Sequence, residues 1–238
     1  MAKVHPTALI EEGVDLDGDV HVDAGAIIRA GVKIGEGSYV GPYCIIGERL
    51  SSYYEDPKGY MNPKTRIGRQ TVIRSHSVVY ASVTIGERFV TGSRVFIRER
   101  TIIGDNVVIG TLTEVMPDCV IEGGVRIHSG VFVPERTHIK ENARLFPHVV
   151  LTNDLHPPCG KCLTGPTVGE GSVIGAAAVV LPHVVVGSGS LIAAGAIVVE
   201  NVPPETLVVG VPARVVKKVR EIKCRWGCKS PYPWSQQK

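Results

Sequence analysis

Residues 151–167 read LTNDLHPPCGKCLTGPT, and three of their side chains belong to types that do chemistry when held together: Asn153, Asp154 and His156. A carboxamide orients the hydrogens of an amine, and a carboxylate or an imidazole accepts its proton. The same stretch also suits a plain turn, since Asn, Asp and Pro all favour turns. A second irregular stretch, ERLSSYYEDPKGYMNPKT at 48–65, carries Tyr53, Tyr54 and Tyr60, three of the seven tyrosines. It reads either as a cover or subunit contact, or as a binding loop in which a tyrosine stacks on a base or a sugar. Four cysteines fall into two close pairs, Cys159 with Cys162 (CGKC) and Cys224 with Cys228 (CRWGC). That spacing suits a tetrahedral structural zinc that would staple the tail to the loop. A disulfide or unrelated thiols are the other readings.

Groups of this kind need a rigid scaffold under them, and the rest of the chain supplies one by repetition. Every sixth residue is aliphatic in three registers. The first runs from Val4 through Ile10, Leu16, Val22, Ile28, Ile34 and Val40 to Ile46. The second runs from Ile67 to Leu151 with Thr91 as its one polar member, and the third from Val168 to Val198. Four residues after each position the side chain is small or β-branched, as at Ala26, Ser38, Thr71, Val107, Thr137 and Ala196. Phe89 is the bulky exception and lies two residues before Thr91, which points to a local bulge or a compensating swap. Glycine often follows the aliphatic position, as at Gly68, Gly86 and Gly110, where a corner would use its backbone freedom.

A period of six fits neither a helix nor an ordinary half-buried strand. It fits one side of a three-sided coil: a short strand and a corner per hexad, three hexads per turn, and turns stacked at strand spacing. Residues eighteen apart then become neighbours. The column through Asn153 and Asp154 contains Glu135, Arg136, Glu99 and Arg100, with Arg98 beside them, so these charges are expected on one edge below the loop. They read as a phosphate-holding group or as a solvated ion-pair ladder. The expected organisation is a coil over 1–202 with loops at 48–66 and 152–167, followed by a C-terminal helix and cysteine-containing tail over 203–238.

Composition agrees with a narrow prism. Glycine is high at 27 residues and aromatics are low at 5%. The net charge of +3 gives no bulk argument for nucleic acid or an anionic membrane. No apolar run approaches the roughly 20 residues a membrane span needs, and no signal-peptide pattern opens the chain. The expectation is a soluble, cytoplasmic protein. Cys44 and Cys119 fall in the small inward column and read as core residues.

The hexads resemble those of the hexapeptide-repeat transferases, whose fold is a left-handed parallel β-helix; the hand is implied by that resemblance and not by the spacing. The TND stretch, VTGSRVFIRERTIIG at 90–104 and VPPETLVVGVPARVV at 202–216 are similar to the N-acyltransferases that modify amino groups of nucleotide-linked sugars for surface polysaccharides. The resemblance implies acetyl-CoA as donor, a homotrimer with its site between adjacent subunits, and Asn153 and Asp154 near the acceptor. Some members use little or no protein base, because a positioned amine attacks the thioester directly. Where the group carries other residues after Asn-Asp, this chain has Leu155 and His156. His128, at a corner, is a second base candidate. Ala176, Ala177, Ala194 and Gly195 would let a pantetheine arm lie against the coil, and Arg214, Lys217 and Lys218 would meet the CoA phosphates. Tyr53, Tyr54, Arg98, Glu99, Arg100 and Arg136 would bind the acceptor. Rival readings are an O-acetyltransferase on a sugar or serine-like acceptor, a non-catalytic β-helix scaffold, and a metal-dependent hydratase of the carbonic-anhydrase type. The last lacks its histidine spacing: no two of the eight histidines lie about five apart.

Overall fold

A computed structural model describes residues 1–224. The chain winds as a left-handed parallel β-helix of about 11 turns. Three sheets of twelve, ten and nine strands, parallel except for the last strand of the first, form the faces of a prism. They are called here faces A, B and C, in the order in which the chain visits them. Most strands are two residues long, and each stacks on its counterpart in the next coil, as Val108 on Arg126 and Ile109 on Ile127. The register skips twice, where Tyr39 pairs with Val72 and Arg144 with Val173, because a loop has been let out between them.

The inward column is buried from Val22 to Val198, and the small column beside it is buried as well. Val4 stays 41% exposed, since the first coil has a neighbour on one side only. Buried hydroxyls bond to corner carbonyls: Thr113 donates to the His128 oxygen (2.9 Å) and Ser172 to that of Gly187 (2.8 Å). The Cys44 and Cys119 thiols do the same to Arg74 and Pro134 (3.1 Å each). Burial pushes these thiols up to about 11 and about 12, so both are inert core groups. The Phe89 and Thr91 pair is a compensating swap. Both are buried, Val90 and Thr91 pair in regular register, and the Thr91 hydroxyl accepts the Arg74 N–H (2.8 Å). The register irregularity lies at Val79/Tyr80 instead, beside the first loop.

The glycines after the aliphatic column serve a different purpose from the one expected. A Cβ on Gly68 would stand 2.5 Å from the Gly86 backbone, and one on Gly110 2.5 Å from that of His128. They permit close stacking of coils. The left-handed corner residue comes two positions later and is usually not glycine, as at Arg100, Asp118 and Arg136 (φ 57°, 61° and 56°). That conformation costs a side-chain-bearing residue roughly 1 kcal/mol. It aims the N–H back at the previous coil, where Arg100 bonds to Ser82 (3.0 Å) and Asp118 to Glu99 (3.2 Å).

The expected C-terminal helix is not formed among the described residues. Thr206–Val209 joins face A, pairs antiparallel with Arg214–Lys218, and a single 3-10 turn follows at Val219–Glu221. The β-branched runs on either side of Gly210-Val211-Pro212 favour a hairpin, and Pro212 cannot continue a helix. No helix among the described residues is long and apolar enough to cross a membrane.

Candidate active site

Both loops leave the prism at the same place. The first lies between the face B strand Ile45–Glu48 and the face C strand Thr65–Ile67, the second between Val150–Leu151 and Thr167–Val168. They bracket one edge, B to C, with five complete coils between them. At about 4.8 Å per coil the loop bases stand roughly 24 Å apart.

The charges expected below the second loop line this edge. Arg98 grips Glu99 through Nε (2.7 Å) and Nη2 (2.9 Å) while its guanidinium lies 4.8 Å from the centre of the Tyr80 ring. Glu99 is 8% exposed. Burial alone would raise its carboxyl, but the Arg98 hydrogen bonds, a backbone N–H and the charge of Arg100 outweigh it, and the net shift is downward. Arg100 forks onto Asp118 in the next coil (2.6 and 2.8 Å), and its hydrogen bonds lower that carboxyl. Tyr80 itself was not singled out from the sequence. It lies one turn below Arg98 in the same column, and the eighteen-residue rule carried one step further would have found it. Burial raises its hydroxyl, and Tyr54 of the first loop is close enough to add to that shift.

In the first loop, Tyr53 packs edge-on against Tyr54 (5.3 Å) and Tyr60 (5.4 Å) under the Arg49 guanidinium (4.2 Å). Tyr60 is structural: its hydroxyl accepts the Leu50 N–H and donates to Asn62, which in turn bonds to Ala30 and Gly47. Tyr54 is 72% exposed. The second loop is clamped at its base. Asn153 Nδ2 donates to Glu135, Arg136 donates to the Leu163 carbonyl (3.0 Å), and the Gly165 N–H to that of Glu135 (2.9 Å). Asp154 turns inward on its own loop, accepting the N–H groups of His156 (3.0 Å) and Gly160 (3.2 Å). His156 is exposed beyond it.

The remaining candidates sit on a different edge, A to B. His128 stacks on Phe146 of the next coil (4.7 Å, 16°) and is not brought to the loop edge of its own chain. Ala176, Ala177, Ala194 and Gly195 occupy the following two coils of that A–B edge. The N–H groups of Ala177 and Gly195 already bond to Pro147 (2.9 Å) and Ala176 (2.8 Å), which leaves Ala176 and Ala194 as the outward-facing amides. The turn before Arg214 folds over the top of this edge, Ala213 bonding to Ile197 (2.8 Å), and Arg214, Lys217 and Lys218 are exposed. Between the two edges lies face B. Its outward residues are aliphatic or aromatic, Phe96, Phe132, Val150 and Val179 among them, with Glu114 as the exception.

Three of the four cysteines expected to hold zinc, Cys159, Cys162 and Cys224, are among the described residues. Cys159 and Cys162 are exposed, and among the described residues no three His, Cys, Asp or Glu side chains gather to hold a metal. Cys228 lies outside the described residues.

Residues 100–135 match the family model described as bacterial transferase hexapeptide (six repeats). Within that stretch the chain carries bacterial transferase hexapeptide repeats. Over 86 residues it is 44% identical to a 2,3,4,5-tetrahydropyridine-2,6-dicarboxylate N-acetyltransferase of Halalkalibacterium halodurans, a stretch covering 36% of this chain and 35% of that relative. The match thus spans about a third of the curated relative. Two solved structures share the fold over most of the chain. A UDP-N-acetylglucosamine acyltransferase from Campylobacter jejuni has a TM-score of 0.54 at 20% identity, covering 94% of this chain and 79% of the other. The Arabidopsis UDP-N-acetylglucosamine acyltransferase has a TM-score of 0.57 at 16% identity, covering 90% and 74%.

Proposed function

We propose that the chain is an acetyl-CoA-dependent N-acyltransferase acting on an amine of a nucleotide-linked amino sugar, assembled as a homotrimer with its site between subunits. One observation carries the reading: the acceptor-type groups and the donor-type groups occupy opposite edges of one apolar face. A second copy packed on face B would cover that apolar surface and bring the A–B edge of one chain to the B–C edge of the next.

In this arrangement Asn153 orients the acceptor amine, while Arg98 and Arg136 meet anionic groups and Tyr54 offers a ring for stacking. Along the other edge, small side chains leave room for a pantetheine arm, the Ala176 and Ala194 amides face its polar groups, and Arg214 and Lys217 meet phosphates. Positioning the amine against the thioester supplies much of the rate, and backbone donors polarise the carbonyl. The N-acetyltransferase and acyltransferase names of the similar proteins agree with transfer of an acyl group to a small acceptor.

A thiol-release assay with acetyl-CoA and a panel of amino-sugar nucleotides, an amino dicarboxylate, serine and unmodified sugars tests this. Release with an amino-sugar nucleotide, and only background with serine or unmodified sugars, is the expected result. Release confined to hydroxyl acceptors would replace N- by O-acetylation. No release and no CoA binding would leave a scaffold.

A further inference from the structure

We infer that Glu135 is the proton acceptor of the transfer as well as the residue that orients Asn153; this rests on the N-acyltransferase reading. The carboxylates of the B–C edge differ in what they have left to give. Glu99 is held by both arms of Arg98, Asp118 by both arms of Arg100, and Asp154 by two backbone N–H groups of its own loop. Glu135 accepts one hydrogen bond among the described residues, from Asn153 Nδ2, and keeps an oxygen uncommitted. It is half-buried, and its main chain is fixed to the loop base by Gly165 (2.9 Å). Because Asn153 gives its N–H to Glu135, its Oδ1 is the atom turned to an incoming amine. A nitrogen donating to that oxygen lies beside the Glu135 carboxylate. His128 belongs to another edge, and His156 lies further out on the loop.

The step balances without a further reagent. The neutral amine attacks the thioester carbonyl and its nitrogen becomes positive; one N–H proton passes to Glu135 as the C–N bond is completed. The C–S bond then breaks, and the departing thiolate takes the proton from Glu135, which restores the carboxylate. The charged and titratable groups facing Glu135 are Arg98 below it, Cys119 behind it, Arg136 beside it and Asp118 in the coil below, the last already neutralised by Arg100.

The test is kcat and KM measured separately for wild type, Glu135→Gln and Glu135→Asp, with an amino-sugar nucleotide as acceptor. A glutamine oxygen still accepts from Asn153, so Glu135→Gln removes proton acceptance and keeps positioning. The expected result is a kcat loss of about 100-fold in Glu135→Gln with KM within threefold, and recovery of most of that loss in Glu135→Asp. A kcat of Glu135→Gln within threefold of wild type would overturn the inference, as would a Glu135→Asp as slow as Glu135→Gln. A wild type inactive with every amine would overturn the N-acyltransferase reading itself, and the inference with it.

Discussion

Two ladders of charge run up this prism, and they are made by the same rule. On face C, Lys33 reaches Asp15 (2.8 Å) eighteen residues away; near the adjoining corner, Arg69 reaches Glu87 (2.8 Å). On the B–C edge, Arg100 reaches Asp118 (2.6 Å), again eighteen residues away. Spacing and charge do not tell the ladders apart. Burial does so at one pair: Arg98 and Glu99 are 28% and 11% exposed, against 52% and 58% for Lys33 and Asp15, while Arg100–Asp118 (53% and 35%) is as open as Arg69–Glu87 (54% and 32%). The second ladder also has an aromatic cover in Tyr80 and a loop at each end. A charge ladder is what an eighteen-residue repeat produces wherever opposite charges fall in one column. It becomes a candidate site where carboxylates are withdrawn from water and something stands over them.

Substitutions separate the two ladders. The largest expected effect is at the loop base: Asn153→Ala lowers kcat/KM by about 100-fold or more, read by thiol release, with melting temperature little changed. Arg98→Ala comes next. It raises the acceptor KM about tenfold and leaves the Glu99 carboxylate buried without its partner, costing about 1–2 kcal/mol after allowance for partial exposure; urea unfolding reads that loss. The third concerns pH. The Glu99 carboxyl is lowered in the folded state, so its stabilising contribution is full above the ordinary carboxylate range and is lost as pH falls through its folded value. Melting temperature followed down from neutral pH drops less steeply in Glu99→Gln than in wild type. The smallest effect is on the exposed ladder, where Lys33→Ala leaves melting temperature and activity at wild-type values. A Lys33 substitution as damaging as that of Arg98 would erase the distinction between the two.

The fold was legible because the core is periodic. The aliphatic column, the small column and the neighbour map that places Glu135 under Asn153 all follow from counting sixes, and the structure keeps each of them. What counting could not show was which way a side chain turns. Asp154 stands next to Asn153 in sequence yet spends its carboxylate on its own loop. His128 occupies a corner like that of Asn153, but the corner belongs to another edge, a distinction that needs the order of the faces as well as the period. Among the described residues the chain after the last hexad forms a hairpin rather than the expected helix, because β-branched residues flank Pro212. The glycine columns were located correctly and explained wrongly, because close approach of the next coil is invisible until the coils are stacked.

The central claim is that one working site needs the B–C edge of one chain and the A–B edge of another. Asn153→Ala disables the first edge, and Ala194→Trp fills the second. Each variant alone is expected to be inactive. Co-expressed in equal amounts, they should recover about a quarter of wild-type thiol release, the fraction of subunit contacts in which two intact edges meet. A mixture as inactive as its components, although the chains assemble together, would place both halves of the site within one chain and contradict the account.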